Sequence, residues 1–302
     1  MERVISLLDA IPYLRAYAGQ RFVVKASGEL LQDASWREGI ARDLAVLHRL
    51  GIGTVLVHGG GPQLDQAMAR HGIVTERVAG RRITSQAALS EAIREWRGAC
   101  NAAWVSALAR QGEAAVGLSG ADGGLVRAAR RPPAVLTDDD GERVQVDFGL
   151  VGDVTGVDPA VLEAAMALPA VPVVSPLALG EAGQLLNVNA DTVAAEIAIA
   201  LGAAKLILLT RAPGILADPS DPSSVLHWAD LARLDQLAAD GALSGGMRPK
   251  VAAIRRALDG GVPRVHVVDG RAGGALLEEV FTTDGSGTLV VTEADDMPAE
   301  PL

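Results

Sequence analysis

The 302-residue chain has a single cysteine, Cys100, so no disulfide can form within it and a reducing compartment suits it. Cys100 stands in an apolar helical stretch, where a small buried hydrophobe is the default reading rather than a nucleophile. No apolar run approaches the roughly 18 residues of a membrane-spanning helix. The start, Met1–Glu2–Arg3, lacks the cationic and apolar regions of a secretion signal. Net positive charge is missing as well: 27 Lys and Arg face 37 Asp and Glu, a formal charge of −10. That balance argues against sequence-independent binding to nucleic acid or to an anionic membrane. The chain has no GxxxxGK[ST] phosphate loop and no Cys/His cluster with zinc spacing. A cytoplasmic globular protein fits these absences, and any anion it binds must be met by locally concentrated positive groups.

Hydrophobic residues make up 49% of the chain, with 34 Gly and 15 Pro. Continuous apolar, β-branched runs recur at Arg21–Lys25, Thr54–His58, Ala114–Leu118, Val171–Ser175, Lys205–Thr210, Arg264–Asp269 and Thr288–Val291. Such runs mark strands buried on both faces. Helical patterns alternate with them. Ser35 is placed to cap a helix with Ile40, Leu44 and Leu47 on one face, closed by Gly51. Thr84 or Ser85 can open a long helix through Leu89, Trp96 and Leu108, and further helices are expected at Gln63–Arg70, Asp191–Leu201 and Lys250–Leu258. This alternation predicts an α/β fold with a mainly parallel central sheet, covered on both sides, and ligands at the carboxyl ends of its strands.

Three segments fall outside the rhythm. Residues 1–20 carry a helical stripe of Ile5, Leu8, Ile11 and Leu14, which packs on its own domain or on another subunit. Arg127–Val151 reads as an exposed hairpin or flap with a turn at Asp138–Gly141. The acidic end, 293–302, reads as a disordered tail. The expected organisation is a helical extension over 1–20, an acceptor lobe over 21–180, a nucleotide lobe over 181–292 and that tail.

Five short segments carry chemistry. Lys25-Ala26-Ser27-Gly28 ends the first strand, where an ammonium and turn N–H groups can face one anion; a solvated turn is the default for it alone. His58-Gly59-Gly60-Gly61-Pro62 follows the second strand, and three glycines in a row are entropically costly unless something approaches the backbone closely. His58 itself reads as a structural hydrogen-bonding residue. Gly80-Arg81-Arg82-Ile83-Thr84 places an arginine beside a helix start, suited to a bidentate grip on a carboxylate. Asn187-Val188-Asn189-Ala190-Asp191 opens a helix, and Asp191 is by default a cap. Gly245-Gly246-Met247-Arg248-Pro249-Lys250 opens another, where a lysine in the first turn opposes the helix dipole unless an anion is near. Together they supply what phosphoryl transfer needs, positioning plus neutralised charge. A carboxylate acceptor needs no general base, because with a pKa of about 4.3 it is already ionised.

With these motifs in this order, the chain resembles the acetylglutamate kinases of the amino-acid kinase family over nearly its whole length. Gly117–Gly123, Gly149–Val154 and Leu206–Thr210 agree. The resemblance implies a three-layer αβα sandwich using ATP with Mg²⁺, and N-acetyl-L-glutamate as acceptor in arginine biosynthesis. It implies catalytic roles for Lys25, Lys250 and Asp191, acceptor binding by Gly60, Gly61, Arg82 and Asn187, and nucleotide binding by Gly28, Gly59, Thr210 and Arg211, with no protein metal ligand assigned. The N-terminal helix resembles the extension of arginine-inhibited members. It implies a homodimer or homohexamer and an arginine effector near Glu278–Gly287.

Two departures stand out. Ser27 occupies a position that is usually glycine, in a turn similar to that of bacterial uridylate kinases. Arg211 stands where the family's Leu-Thr-Asp or Leu-Ser-Asp has an acid. Two alternatives follow: a kinase for another N-blocked acidic amino acid (N-succinylglutamate or carrier-linked aminoadipate), or a catalytically silent regulatory domain as in acetylglutamate synthases.

Overall fold

The computed structural model describes residues 7–78, 80–137, 142–243 and 245–294, the side chains of Leu7, Asp9 and Thr137 excepted. The expected turn at Asp138–Gly141 and nearly all of the acidic tail lie outside these residues.

Eight strands build the main sheet: β1 (Arg21–Ala26), β2 (Gly53–His58), β3 (Ala114–Ser119), β4 (Ala170–Ser175), β5 (Lys205–Thr210), β6 (Trp228–Asp230), β7 (Val265–Asp269) and β8 (Thr288–Val291). Their order is β6-β8-β7-β5-β1-β2-β4-β3. All neighbours run parallel except β7 and β8. Seven of the eight coincide with the apolar runs of the sequence. The additional strand, Trp228–Asp230, is three residues at the sheet edge with only Ala229 buried, too short for periodicity to reveal.

Side chains of β1 alternate between two cores. Phe22, Val24 and Ala26 face one with the helices Ala34–Arg49, Gly61–Arg70 and Asn101–Arg110, whereas Val23 faces another with Ala190–Ala200 and Met247–Asp259. Helices therefore cover both faces, as the buried strands require.

A smaller four-stranded sheet joins Val126–Arg130, Gly152–Val157, Leu177–Leu179 and Leu185–Asn187. Arg127–Val151 is thus not one exposed hairpin. Its first part belongs to this sheet, and only Ala134–Thr137 and Arg143–Val146 pair as a hairpin. Val146 and Phe148 are buried in a small cluster with Val151.

Local details also differ from expectation. Asp33, not Ser35, caps the helix Ala34–Arg49, its carboxylate accepting from Ser35 N at 2.7 Å. Ser85 caps the next long helix through Ala88 N. That helix runs from Gln86 to Arg110, with a π-helical middle at Ile93–Cys100. In the N-terminal helix Leu7–Tyr17 the inward face is Ala10, Tyr13 and Tyr17, while Leu8 is 77% exposed. The tyrosines take that face because Tyr17 packs edge-on against Phe22, centroids 5.2 Å apart.

Candidate active site

The five motifs converge at the carboxyl ends of the central strands. Lys25 sits near the end of β1 and pairs in register with Val57, one residue before His58 ends β2. Thr210 ends the neighbouring β5. Each strand end turns into a glycine-containing segment, and the two turns after β1 and β2 meet backbone to backbone. A Cβ on Gly28 would fall 2.7 Å from Gly60 N and 2.8 Å from Gly60 Cα, so only glycine permits that approach. Gln63 locks the contact by donating from Nε2 to Gly28 O at 2.7 Å.

Lys25 leaves β1 on the face covered by the helix Ala190–Ala200. There its ammonium meets Asp191 Oδ1 at 2.8 Å, and Lys250 from the helix Met247–Asp259 meets the same oxygen at 3.2 Å. All three residues are buried. Asp191 is not the cap of its helix: Asn189 is, its Oδ1 accepting from Asp191 N and Thr192 N. That frees the Asp191 carboxylate for the lysines, and it offsets the unfavourable placement of Lys250 near a helix start.

Two buried ammonium groups face one buried carboxylate, and the less buried Glu29 adds its attraction to Lys250. Burial alone would raise the Asp191 pKa, but attraction to Lys25 and Lys250 and their hydrogen bonds prevail and hold it at about 2. Lys250 is pushed down to about 8, first by burial and then by repulsion from Lys25, against the pull of Asp191. Buried excess cation of this kind is an anion site by charge balance.

Arg82 lies against the glycine turn. Arg82 Nη2 pairs with Asp65 Oδ1 at 2.7 Å and reaches Gly61 O at 3.4 Å. Burial lowers the Arg82 pKa from its ordinary value and Asp65 opposes the shift. Asn187 donates from Nδ2 to Thr84 Oγ1 at 2.9 Å, which ties the two motifs carrying Arg82 and Asp191 together. His58 is fully buried; its Nδ1 lies 2.9 Å from Gly59 O and its Nε2 3.4 Å from Asn101 Nδ2. Burial pushes its pKa down to about 4, against the bond to Gly59, so it is neutral and held in place. Cys100 is buried too, its thiol pushed up to about 12 by burial and by Glu95.

On the other side, the Thr210 hydroxyl is engaged with its own turn, accepting from Ala212 N at 2.7 Å. Arg211 is exposed at the same strand end. Sequence reasoning missed Gln63, Asp65, Trp96 and Asn101. Trp96 Nε1 donates to Gly60 O at 2.8 Å, and Asn101 Nδ2 donates to Val173 O at 2.8 Å and Leu118 O at 3.1 Å. Only Asp65 had a usable signal, one helical turn after Gly61 on the face of the glycine turn.

Residues 20–269 match the Amino acid kinase family. The chain is 44% identical over 295 residues to the acetylglutamate kinase of Myxococcus xanthus, covering 97% of this chain and 96% of that protein. It is 42% identical to the acetylglutamate kinase of Thermosynechococcus vestitus, covering 96% and 94%. Among solved structures, N-acetylglutamate synthase from Neisseria gonorrhoeae with coenzyme A and N-acetyl-glutamate superimposes with a TM-score of 0.79 at 29% identity. That match covers 96% of this chain but only 64% of the synthase. Carbamate kinase from Giardia lamblia shares the fold, with a TM-score of 0.61 at 16% identity, covering 92% and 100%. A match over 97% of the chain at this identity, with residues 20–269 fitting the family model, makes the chain a member of the amino acid kinase family.

Proposed function

We propose that the chain is an acetylglutamate kinase, moving the γ-phosphoryl of ATP to the side-chain carboxylate of N-acetyl-L-glutamate in arginine biosynthesis. The observation that carries this reading is the meeting of Lys25 and Lys250 on Asp191 beside two touching glycine turns, in a chain 44% identical to a curated acetylglutamate kinase.

The reaction joins two anions. A carboxylate oxygen attacks the γ-phosphorus as the bond to the ADP oxygen breaks, giving an acyl phosphate and ADP. Neither a base nor an acid is needed, so the protein's task is to hold the reactants in line and neutralise spreading charge. Lys25 and Lys250 supply the charge, and Asp191 draws both ammonium groups to one oxygen and so aims them. Gly28 and Gly59 hold phosphates, Gly60 and Gly61 face the acceptor, and Arg82 and Asn187 take its carboxylates. Arg82 then exchanges Asp65 for, or shares it with, the acceptor. Thr210 and Arg211 line the nucleotide side.

Among the described residues no three His, Cys, Asp or Glu side chains converge as a metal site, and Asp191 is already committed to lysines. Mg²⁺ fits this arrangement as a companion of the nucleotide, since it is commonly held by substrate phosphates and water. When bound there it neutralises charge on the phosphate oxygens.

Arginine is the effector we infer, at the block Glu278–Gly287. Glu279 accepts from Ser286 N and Gly287 N at 2.7 and 2.8 Å and meets His266 at 2.6 Å, and Lys205 adjoins His266 at 2.9 Å. Tyr17 of the N-terminal helix lies over Lys205 at 5.0 Å. This joins the helix to a buried carboxylate, so a guanidinium there would act on whatever the helix contacts. The exposed Leu8 on that helix supports assembly through it into a dimer or hexamer.

No helix among the described residues is long and apolar enough to cross a membrane, in keeping with a cytoplasmic biosynthetic enzyme. ADP release measured with N-acetyl-, N-succinyl- and free glutamate tests the central reading. Turnover is expected with the acetyl compound; preference for another, or none, overturns it.

A further inference from the structure

The glycine turn after β2 has no side chains with which to hold its own shape, yet three successive carbonyls in it are held from outside. His58 Nδ1 lies 2.9 Å from Gly59 O, Trp96 Nε1 donates to Gly60 O at 2.8 Å, and Arg82 Nη2 donates to Gly61 O at 3.4 Å. In a trans peptide the C=O and the following N–H point in opposite directions. Carbonyls turned toward His58 and Trp96 therefore turn the N–H groups of Gly60 and Gly61 the other way. Gly61 opens the helix Gly61–Arg70, where the first N–H groups have no intrahelical acceptor. A peptide between two glycines is otherwise easily rotated, because neither neighbour has a Cβ to restrict it.

Of the three donors, Trp96 has no role in the reading so far. It is 5% exposed and so close to the turn that a Cβ on Gly60 would fall 2.3 Å from its Cδ1 and 2.5 Å from its Nε1. It reaches that place from the π-helical Ile93–Cys100 segment, and π-helical turns of this kind recur at functional sites. The helix is anchored just beyond it, where Asn101 holds the Leu118 and Val173 carbonyls near the ends of β3 and β4. The indole is thus a fixed point, referenced to the sheet and not to the turn it touches. Gly60 O also accepts from Leu64 N at 3.0 Å along the helix axis; Trp96 adds the lateral restraint that sets the tilt of the peptide plane.

We propose that Trp96 is a positioning residue for phosphoryl transfer: its indole N–H fixes the Gly60–Gly61 peptide so that the Gly61 N–H faces the reacting anions. The proposal deepens the kinase reading and rests on it. It assigns Trp96 no contact with substrate.

The test replaces the indole N–H by a sulfur atom while nearly keeping the bicyclic shape, by site-specific incorporation of benzothienylalanine at 96, with Trp96→Phe as a second variant. With acetylglutamate and ATP, kcat falls on the order of fivefold, the size of one net hydrogen bond, while KM for ATP is unchanged. A merely structural indole would instead lower thermal stability and leave kcat alone. Independently of turnover, ¹⁵N relaxation dispersion of the unliganded protein reads the restraint itself. Exchange at the Gly60 and Gly61 amides is expected in the benzothienylalanine protein and absent from wild type. If those amides stay free of exchange in the variant, or if kcat is within error of wild type, the proposal is overturned. A wild type that turns over no acetylglutamate sinks the kinase assignment, and the dispersion measurement still decides Trp96.

Discussion

Lys250 and Asp191 lie 59 residues apart in sequence and 3.2 Å apart in space, bonded through the same carboxylate oxygen that holds Lys25. Removing either lysine should cost kcat on the order of 10²-fold or more, as for lost transition-state charge contacts. The stability effects should diverge. Lys250→Ala leaves a balanced Lys25–Asp191 pair and relieves the excess buried cation, so its thermal midpoint should hold or rise. Asp191→Ala strands two buried ammonium groups, a loss of about 3–5 kcal/mol by the measure of broken buried pairs. Steady-state kinetics and thermal melts on the three variants check this, and a Lys25→Ala or Lys250→Ala enzyme with near wild-type kcat would refute the roles assigned.

The pH dependence follows from Lys250. Its pKa is lowered to about 8, chiefly by burial, so in the free protein it is a cation below that pH and neutral above. Because kcat/KM reports groups of the free enzyme, kcat/KM for ATP should fall as pH rises through about 8. Stability should move the opposite way. Between about 8 and the unfolded value of about 10.4 the unfolded chain binds the proton more tightly, so this group's contribution to folding grows with pH. Lys250→Arg, which stays charged, should remove the alkaline limb of whatever activity it retains. A wild-type profile flat from pH 7 to 9.5 would contradict the assignment.

In the proposed reaction Arg82 clamps the acceptor, and Asp65 Oδ1 lies 2.7 Å from its guanidinium. Arg82→Ala should raise KM for acetylglutamate at least tenfold with little change for ATP. Asp65→Asn removes the competing charge but keeps the shape. It should loosen the guanidinium and lower kcat while changing KM for the acceptor less than Arg82→Ala does. A selective rise in the ATP value for Arg82→Ala would move that residue to the nucleotide side.

Much of this was legible in the chain because strand ends and glycine turns are local features. The seven apolar runs are strands because their β-branched residues suit burial on both faces; Lys25 sits at a strand end before a glycine turn, Asp191 in the first turn of a helix after a short strand, and Lys250 in the first turn of a helix that Gly245 and Gly246 precede. What escaped depends on contacts formed only on folding. Leu177–Leu179 and Leu185–Asn187 are strands by virtue of each other. Asp33 outcompetes Ser35 as a cap because its carboxylate reaches Ser35 N. Trp96 looks like any core aromatic on a helical stripe until its N–H is seen to meet Gly60 O. On the first helix Leu14 of the expected stripe packs against the core, but Tyr13 and Tyr17 are the buried residues and Leu8 is exposed, because Tyr17 packs its ring against Phe22.

The last prediction concerns Arg211, where family members of the Leu-Thr-Asp type carry an acid. It follows β5, a strand buried along its whole length, and emerges exposed at the carboxyl end of the sheet, beside the β1 end that carries Lys25. The preceding Thr210 closes the turn with Ala212 N at 2.7 Å, so the backbone at Arg211 is held by its neighbour and does not depend on the arginine. Substitution should therefore leave the fold intact. A guanidinium offers a fork of donors to phosphate or ribose oxygens, and in a site that already gathers positive charge it adds to the attraction for a nucleotide. Arg211→Asp reverses that charge by two units. It should raise KM for ATP several-fold, more at low salt than at high salt because the effect on an exposed group is screened, with kcat and KM for the acceptor nearly unchanged. Kinetics at two ionic strengths check this. If the ATP value were unmoved, Arg211 would have no part in binding the nucleotide; if wild type were inert and Arg211→Asp active, the arginine would mark a kinase that has lost its reaction.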